Sequence, residues 1–220
     1  MITGGLQDLE NGMQVIFLHK TGHILNDFWT VNTTIDSAFY PPLVPAYLDT
    51  YGVFLKQNSK RFYLTNSEDF STINALTFAQ ANSWPDDLIA AITVNQELIL
   101  LCEKSTEFWY DVGATPFPFL RRPNLLVPYG CIAPYSLALG AQNVLFWLGQ
   151  NKDGGRTVLA MSGYQVQVIS NEAMHQSIQE YKNIENAYGF VISWQGHVFY
   201  FLTFPDNIGD VSTMKRSQNQ

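Results

Sequence analysis

The residues able to do chemistry are few and scattered. Histidines stand at His19, His23, His175 and His197, and the cysteines are Cys102 and Cys131. A zinc centre draws cysteine, histidine or carboxylate ligands from short, characteristic spacings, and none of the four histidines has companions at such a spacing. His19 and His23 lie four residues apart, but Gly22 and a turn-like context spoil a shared helical face. Both cysteines sit beside apolar segments and read as buried free thiols. Asn151-Lys152-Asp153-Gly154-Gly155 has the opening of a calcium loop without the later bidentate glutamate, so it reads as a hairpin turn. There is no phosphate-binding glycine loop and no nucleophile elbow. The expectation is a chain with no catalytic residue, no metal ligand and no cofactor-binding residue.

The carboxylates and tryptophans allow two sharper readings. Glu103, Glu107 and Asp111 could gather on one strand face as an acid cluster, although a solvated face is the plainer expectation. A glycosidase on a β scaffold needs two carboxylates facing one pocket about 5–9 Å apart, and no pair here stands out. Asp86-Asp87 follows Trp84-Pro85 and reads as a turn or cap. Trp84, Trp109, Trp147 and Trp194 could form a sugar-binding platform, which makes a carbohydrate-binding β-propeller module the alternative function. Their positions inside strand runs favour core packing or an interface.

The elements that would position these residues are mostly short strands. Val144–Leu148, Arg156–Met161 and Tyr164–Ile169 are runs separated by Gly149–Gly155 and Ser162-Gly163. In the last run Tyr164, Val166 and Val168 alternate with Gln165 and Gln167, the period of a half-buried strand. Four hairpins follow from polar tips. Gln57-Asn58-Ser59, Asn95-Gln96, Gly140–Asn143 and Gln195-Gly196 each separate two apolar runs. The tips recur every ~40–50 residues, the period of propeller blades, although a β-sandwich gives a similar series.

Ser105–Val112 alternates Thr106, Phe108, Tyr110 and Val112 with Glu107, Trp109 and Asp111, and adds a third strand to the second hairpin. Thr115–Pro128 carries prolines at 116, 118, 123 and 128 and is expected to be a long surface connection. Ser170–Ile184 breaks the β pattern. Ala173, Met174, Ile178 and Tyr181 fall near helical spacing, Ser170 or Asn171 can cap, and Glu172 suits the first turn. A short amphipathic helix laid on the sheet is expected, with His175 on its surface. Met13–Leu18 is strand-like with no evident partner, and the apolar pattern stops at Asp206.

Composition bounds the function. Of 220 residues 46% are hydrophobic, 14% aromatic and only 14% charged, with a net charge of −7. Few charges and many aromatics suit a β-rich chain, or one covered by partners. The negative balance argues against a broad phosphate-binding surface, because nucleic-acid affinity comes largely from lysine and arginine displacing counterions. No sequence-specific nucleic-acid binding is expected. No secretory signal is visible and no run approaches the ~20 apolar residues of a membrane span, so no membrane association is expected.

Several segments together carry a family resemblance over Thr50 to Pro205. They are Trp84-Pro85-Asp86, Glu97-Leu98-Ile99, Ser105-Thr106-Glu107-Phe108-Trp109, Pro116-Phe117-Pro118-Phe119 and Gly130-Cys131-Ile132-Ala133. Phe146-Trp147-Leu148-Gly149, Gly163-Tyr164, Ile169-Ser170, Tyr181, Gly196-His197, Phe199-Tyr200 and Phe204-Pro205 follow in order. The set resembles the packaged-DNA stabilisation proteins of short-tailed phages, the tail accessory or tail hub factors.

That resemblance implies an all-β, β-propeller-like fold: a partial propeller of antiparallel blades with one short helix near 170–184. With the residue pattern at the two ends, the expected organisation is a poorly defined segment over 1–30, a partial propeller over 31–205 and a disordered tail over 206–220. The resemblance further implies a structural, non-enzymatic tail protein of the virion, made in the bacterial host cytoplasm. Such a protein would close the portal channel, stabilise packaged DNA and dock other tail proteins. The implied partners are portal and adaptor proteins and further copies in a homo-oligomeric ring. Family members are longer, so the chain would be truncated at both ends, as a prophage remnant or gene fragment.

Overall fold

Apolar runs joined by short polar turns must pair with their neighbours antiparallel. The computed structural model shows that arrangement over residues 44–205; the only other described residues are two short strands near the N-terminus. The chain divides into two units, Met1–Ile35 and Asp36–Gln220. In the first, β1 (Gln7–Asp8) pairs antiparallel with β2 (Gln14–Val15), so part of the Met13–Leu18 run does find a partner. The rest of that run and the tail 206–220 lie outside the described residues.

The second unit contains three meandering blades and a hairpin. The first blade is β3 (Ala46–Leu48), β4 (Tyr51–Leu55), β5 (Arg61–Asn66) and β6 (Asp69–Gln80), paired in chain order. The second is β7 (Leu88–Val94), β8 (Glu97–Cys102), β9 (Thr106–Asp111) and β10 (Phe119–Val127). The third is β11 (Tyr129–Cys131), β12 (Ala138–Leu139), β13 (Leu145–Asn151), β14 (Arg156–Ser162) and β15 (Gln165–Val168). Here β11 and β12 both pair with β13, sharing its inner side around a tight turn at Pro134–Ser136. A last hairpin joins β16 (Tyr188–Trp194) to β17 (His197–Thr203).

All four hairpins form where the sequence places them, with pairs such as Val53 with Leu64, Val94 with Glu97, Leu139 with Leu145 and Trp194 with His197. Asn95-Gln96 and Gln195-Gly196 have positive φ at both positions, the backbone that lets a two-residue turn follow the strand twist.

Two expectations need correction. Thr115–Pro128 is not merely a surface connection, because Phe119–Val127 pairs with β9 as the edge strand of the second blade. Its register breaks between Arg121 and Leu126, which takes Pro123 and Asn124 (φ 56°) out of the ladder. An edge strand tolerates a missing N–H at such a break, where a central strand would not. The strand β15 is also less buried than its alternation suggests. It is the outer strand of its blade, so Val168 is exposed, while Val166 packs on the core and Tyr164, 41% exposed, sets its ring edge-on to the buried Phe108 at 5.1 Å.

The expected short helix forms within 170–184. It runs only over Glu172–Glu180 (α1), capped by Asn171, whose side chain accepts from the Met174 N–H at 3.0 Å. Ile178 anchors it in the core, and Ile184 belongs to a separate short turn. His175 is partly exposed at the surface, with Nε2 2.8 Å from the Ser170 hydroxyl and Nδ1 3.6 Å from Glu172 Oε2.

The blades stack face to face, and alternation assigns each side chain to one interface. On β8, Leu98, Leu100 and Cys102 pack towards the first blade, with Leu48, Val53, Phe62 and Leu64. Ile99 and Leu101 of the same strand pack towards the third, with Cys131, Leu145, Trp147 and Leu159. The third blade repeats the pattern. Leu148 and Val158 turn away from the second blade and meet Ile178, Ile184, Leu202 and Phe204. The Pro116–Phe119 segment closes the first interface, where Phe117 sits edge-on to Phe62 at 5.6 Å and to Phe119 at 6.1 Å.

Two glycines permit close approach between backbones. A Cβ on Gly130 would lie 2.3 Å from the Cys102 carbonyl oxygen, and one on Gly149 would lie 2.3 Å from the Gly130 carbonyl oxygen. Trp147 Nε1 donates to that same Gly130 oxygen at 3.0 Å.

A strand buried on both faces makes a specific demand. Leu100→Ala and Leu101→Ala remove side chains from opposite interfaces, and each is expected to cost about 2–5 kcal/mol. Val168→Ala, on the exposed outer strand, should stay within about 0.5 kcal/mol of the parent. Urea unfolding followed by tryptophan fluorescence checks this. A mild effect at either leucine would show that its interface is loosely packed.

Candidate functional site

Antiparallel meanders put the first-to-second and third-to-fourth turns of a blade at one end. Where these turns from three blades converge, an open groove of about 500 Å³ forms. Asp49 comes from the first blade, Asn95 and Gln96 from the second, and Gly163 and Tyr164 from the third. Hydrogen bonds tie the turns together. Asn143 Nδ2 donates to Asn95 Oδ1 at 2.5 Å, and the Thr93 hydroxyl donates to the Tyr47 carbonyl at 2.6 Å.

Glu97 is the centre of the groove. The Tyr164 hydroxyl lies 2.9 and 2.8 Å from its two carboxylate oxygens, a contact from the third blade to the second. Arg122 Nε, from β10, pairs with the same carboxylate, and the guanidinium lies over the Tyr110 ring at 4.8 Å. Burial, and then the bond to Glu97, raises the Tyr164 phenol above its ordinary value. The Arg122 guanidinium is raised by its bond to Glu97. Asp111, also on the groove wall, accepts from the Gly113 N–H at 2.7 Å. These charged side chains fasten strand ends and turns to one another.

The acid cluster is not a solvated face. Glu107 is 1% exposed. Its carboxylate accepts from the Ser83 N–H at 2.6 Å and from Trp109 Nε1 at 3.0 Å. The strand alternation was legible, but the covering first blade decides that this face is interior. Glu103 stands in the turn after β8, half-buried, away from a shared acid site. Asp86 is buried, and the turn-or-cap reading fits it: one oxygen accepts from the Lys104 N–H at 2.9 Å and both lie within reach of the Ser105 hydroxyl.

The tryptophans do not share a platform. Trp147 is 0% exposed and Trp109 is buried in a different interface, while Trp84 is half-buried. Trp194 alone of these four stands in solvent, 64% exposed at the tip of the last hairpin. The Asn151 loop is a hairpin turn whose side-chain oxygen accepts from the Asp153 and Gly155 N–H groups, each at 3.0 Å. Among the described residues no group of three histidine, cysteine or acidic side chains could hold a metal, and no helix is long and apolar enough to cross a membrane. His19 and His23 lie outside the described residues; His197 sits exposed beside Phe199.

Both cysteines are free and buried. Burial first, then the Asp86 and Glu107 charges, pushes the Cys102 thiol up. Burial pushes Cys131 up to about 12 from an ordinary value of 9.0. Tyr200 is raised as well, chiefly by burial, while its hydroxyl donates to the Ser136 carbonyl at 2.7 Å.

Comparison with protein families gives a match over most of the chain. The family described as bacteriophage P22 Gp10, beta-propeller, matches residues 44–219. Comparison with curated proteins gave no match. The matched span contains the three blades, the helix and the last hairpin, and its aromatic and glycine motifs are mainly core and interface residues.

Two measurements follow from the buried polar groups. Glu107→Leu strips the Ser83 and Trp109 donors of their acceptor, at about 1–3 kcal/mol for each donor left unpaired. Chemical unfolding of the variant should show a loss of about 2–6 kcal/mol for the two donors together, and parent-like stability would mean that solvent reaches the site. The thiols act at alkaline pH. An unfolded chain gives up its thiol protons near the ordinary value, so the stability tied to Cys131 is complete below pH 9.0 and is lost as pH rises towards about 12. Stability should fall across that window and fall less steeply in Cys131→Ala. Equal slopes would remove the thiol as the cause.

Proposed function

The chain belongs to the bacteriophage DNA-stabilisation β-propeller family, and on that premise we propose that it is a tail protein that closes the portal channel behind packaged DNA. The family is one of structural phage proteins. The observation that carries the proposal is the family match across the whole stack of blades, residues 44–219. In this reading the chain resides in the virion tail after synthesis in the host cytoplasm. It docks portal and adaptor proteins and other tail components, and assembles as a ring of copies. The part played is mechanical rather than catalytic.

The physical features of the blades support such a part. A plug needs a rigid, water-excluding body, and the three interfaces supply one through aliphatic and aromatic packing. It needs no positive surface, so a net charge of −7 is compatible with a protein that retains DNA without reading it. The acidic groups Asp86, Glu97 and Glu107 are engaged in holding turns and strands.

The test uses purified portal–adaptor assemblies and DNA-filled particles that lack their own stabilising protein. The chain should bind the assemblies and slow the release of nuclease-sensitive DNA from the particles. A well-folded preparation that does neither would sink the proposal.

A further inference from the structure

We infer that the groove at the convergent turns is a binding site for a short, uncharged oligosaccharide. A polyhydroxylated ligand needs donors and acceptors interleaved over one surface, beside an aromatic ring on which the face of a pyranose can lie. The groove offers both kinds of group. Asp49 is exposed on its wall, and Asp111 spends only one oxygen on the Gly113 N–H, so both supply acceptors. Asn95 and Gln96 bring amides at the exposed tip of the β7–β8 hairpin. The Asn95 carbonyl oxygen receives Asn143, which leaves its own NH2 to donate. Arg122 spends Nε on Glu97, and its terminal nitrogens remain as donors.

Tyr164 supplies the ring. It meets Phe108 at 5.1 Å with the two planes 87° apart, and its hydroxyl is held by both oxygens of Glu97. The side chain is therefore fixed in place while 41% of the residue remains in solvent. A ring that is already ordered loses little entropy when a sugar packs against it. The volume of about 500 Å³ falls inside the range of small-ligand sites, roughly 300–1,000 Å³. An open groove leaves part of the ligand in water, so dissociation constants of about 0.1–1 mM are expected.

Charge and spacing exclude the other small ligands. Asp49, Glu97 and Asp111 outnumber Arg122 on the walls, so a phosphate or a uronic acid meets repulsion. A metal ion needs ligands that converge, and no group of three acidic, histidine or cysteine side chains does so among the described residues. An apolar ligand would cover amides and carboxylates without replacing their hydrogen bonds to water. A basic peptide would satisfy the carboxylates but oppose Arg122 and leave the amide donors idle. A neutral polyol engages donors and acceptors together and sets no charge against either. This site is independent of portal docking, so either can fail without the other.

Saturation-transfer NMR on the whole chain tests the inference, with maltotriose, cellotriose and tri-N-acetylchitotriose as neutral probes and trigalacturonate and trilysine as charged ones. At least one neutral probe should bind, and neither charged probe should. Tyr164→Ala removes the ring and should weaken binding about tenfold or more. Gln96→Gly removes one amide and leaves an Asn-Gly turn, the pair best suited to the positive φ at both positions; it should weaken binding about two- to tenfold. Trp194→Ala, on the last hairpin and outside the groove, should leave binding unchanged. Should circular dichroism show Tyr164→Ala to be unfolded, Gln96→Gly carries the test. Silence from all three neutral probes, trilysine bound in their place, binding that survives the groove substitutions, or binding that falls with Trp194→Ala would overturn the inference.

Discussion

A strand with apolar side chains on both faces cannot be satisfied by a single sheet partner, and β8 imposes that condition on this protein. Leu98, Leu100 and Cys102 require cover on one side while Ile99 and Leu101 require it on the other. Hydrogen bonding to β7 and β9 fixes the plane of the sheet and leaves both faces to be buried by separate sheets. The first and third blades supply them. Because β13 and β14 are also apolar on both sides, the demand passes along the chain to the helix and the last hairpin. Stacking of sheets is thus a consequence of strands that alternate between two interiors, at roughly 25 cal/mol for each Å² of apolar surface removed from water.

The same stacking explains where the polar groups went. With so few charged residues, most of the buried ones hold a turn or an N–H group that the interfaces would otherwise strand. Asp86 receives the turn between β8 and β9, and Glu107 receives Trp109 and the backbone at Ser83. The groove at the convergent turns follows this logic in a wetter setting, where Glu97 joins β10 to the third blade through Arg122 and Tyr164.

Much of this was legible in the chain because the relevant signals are local. Polar tips of two to four residues between apolar runs are enough to locate hairpins, and all four were readable. Asn171 could be read as a cap because capping is decided within one turn of helix. Glu107 was misread as solvated because period-two alternation separates two faces without saying which of them another sheet will cover. Thr115–Pro128 was misread as a connection because four prolines disfavour a ladder in general, whereas an edge strand with a register break accommodates Pro123. The groove itself could not be read. Asp49, Glu97, Arg122 and Tyr164 are distant in sequence and converge only through the stacking of blades.

By itself, then, the sequence determined the four hairpins with their turns, the all-β class and the family, because each rests on short-range pattern or on residues kept in a fixed order. Tertiary structure decided which carboxylates are interior and which tryptophans are core. Those outcomes depend on a second sheet arriving from another part of the chain. Burial is a property of two surfaces in contact, and alternation along one strand describes only one of them.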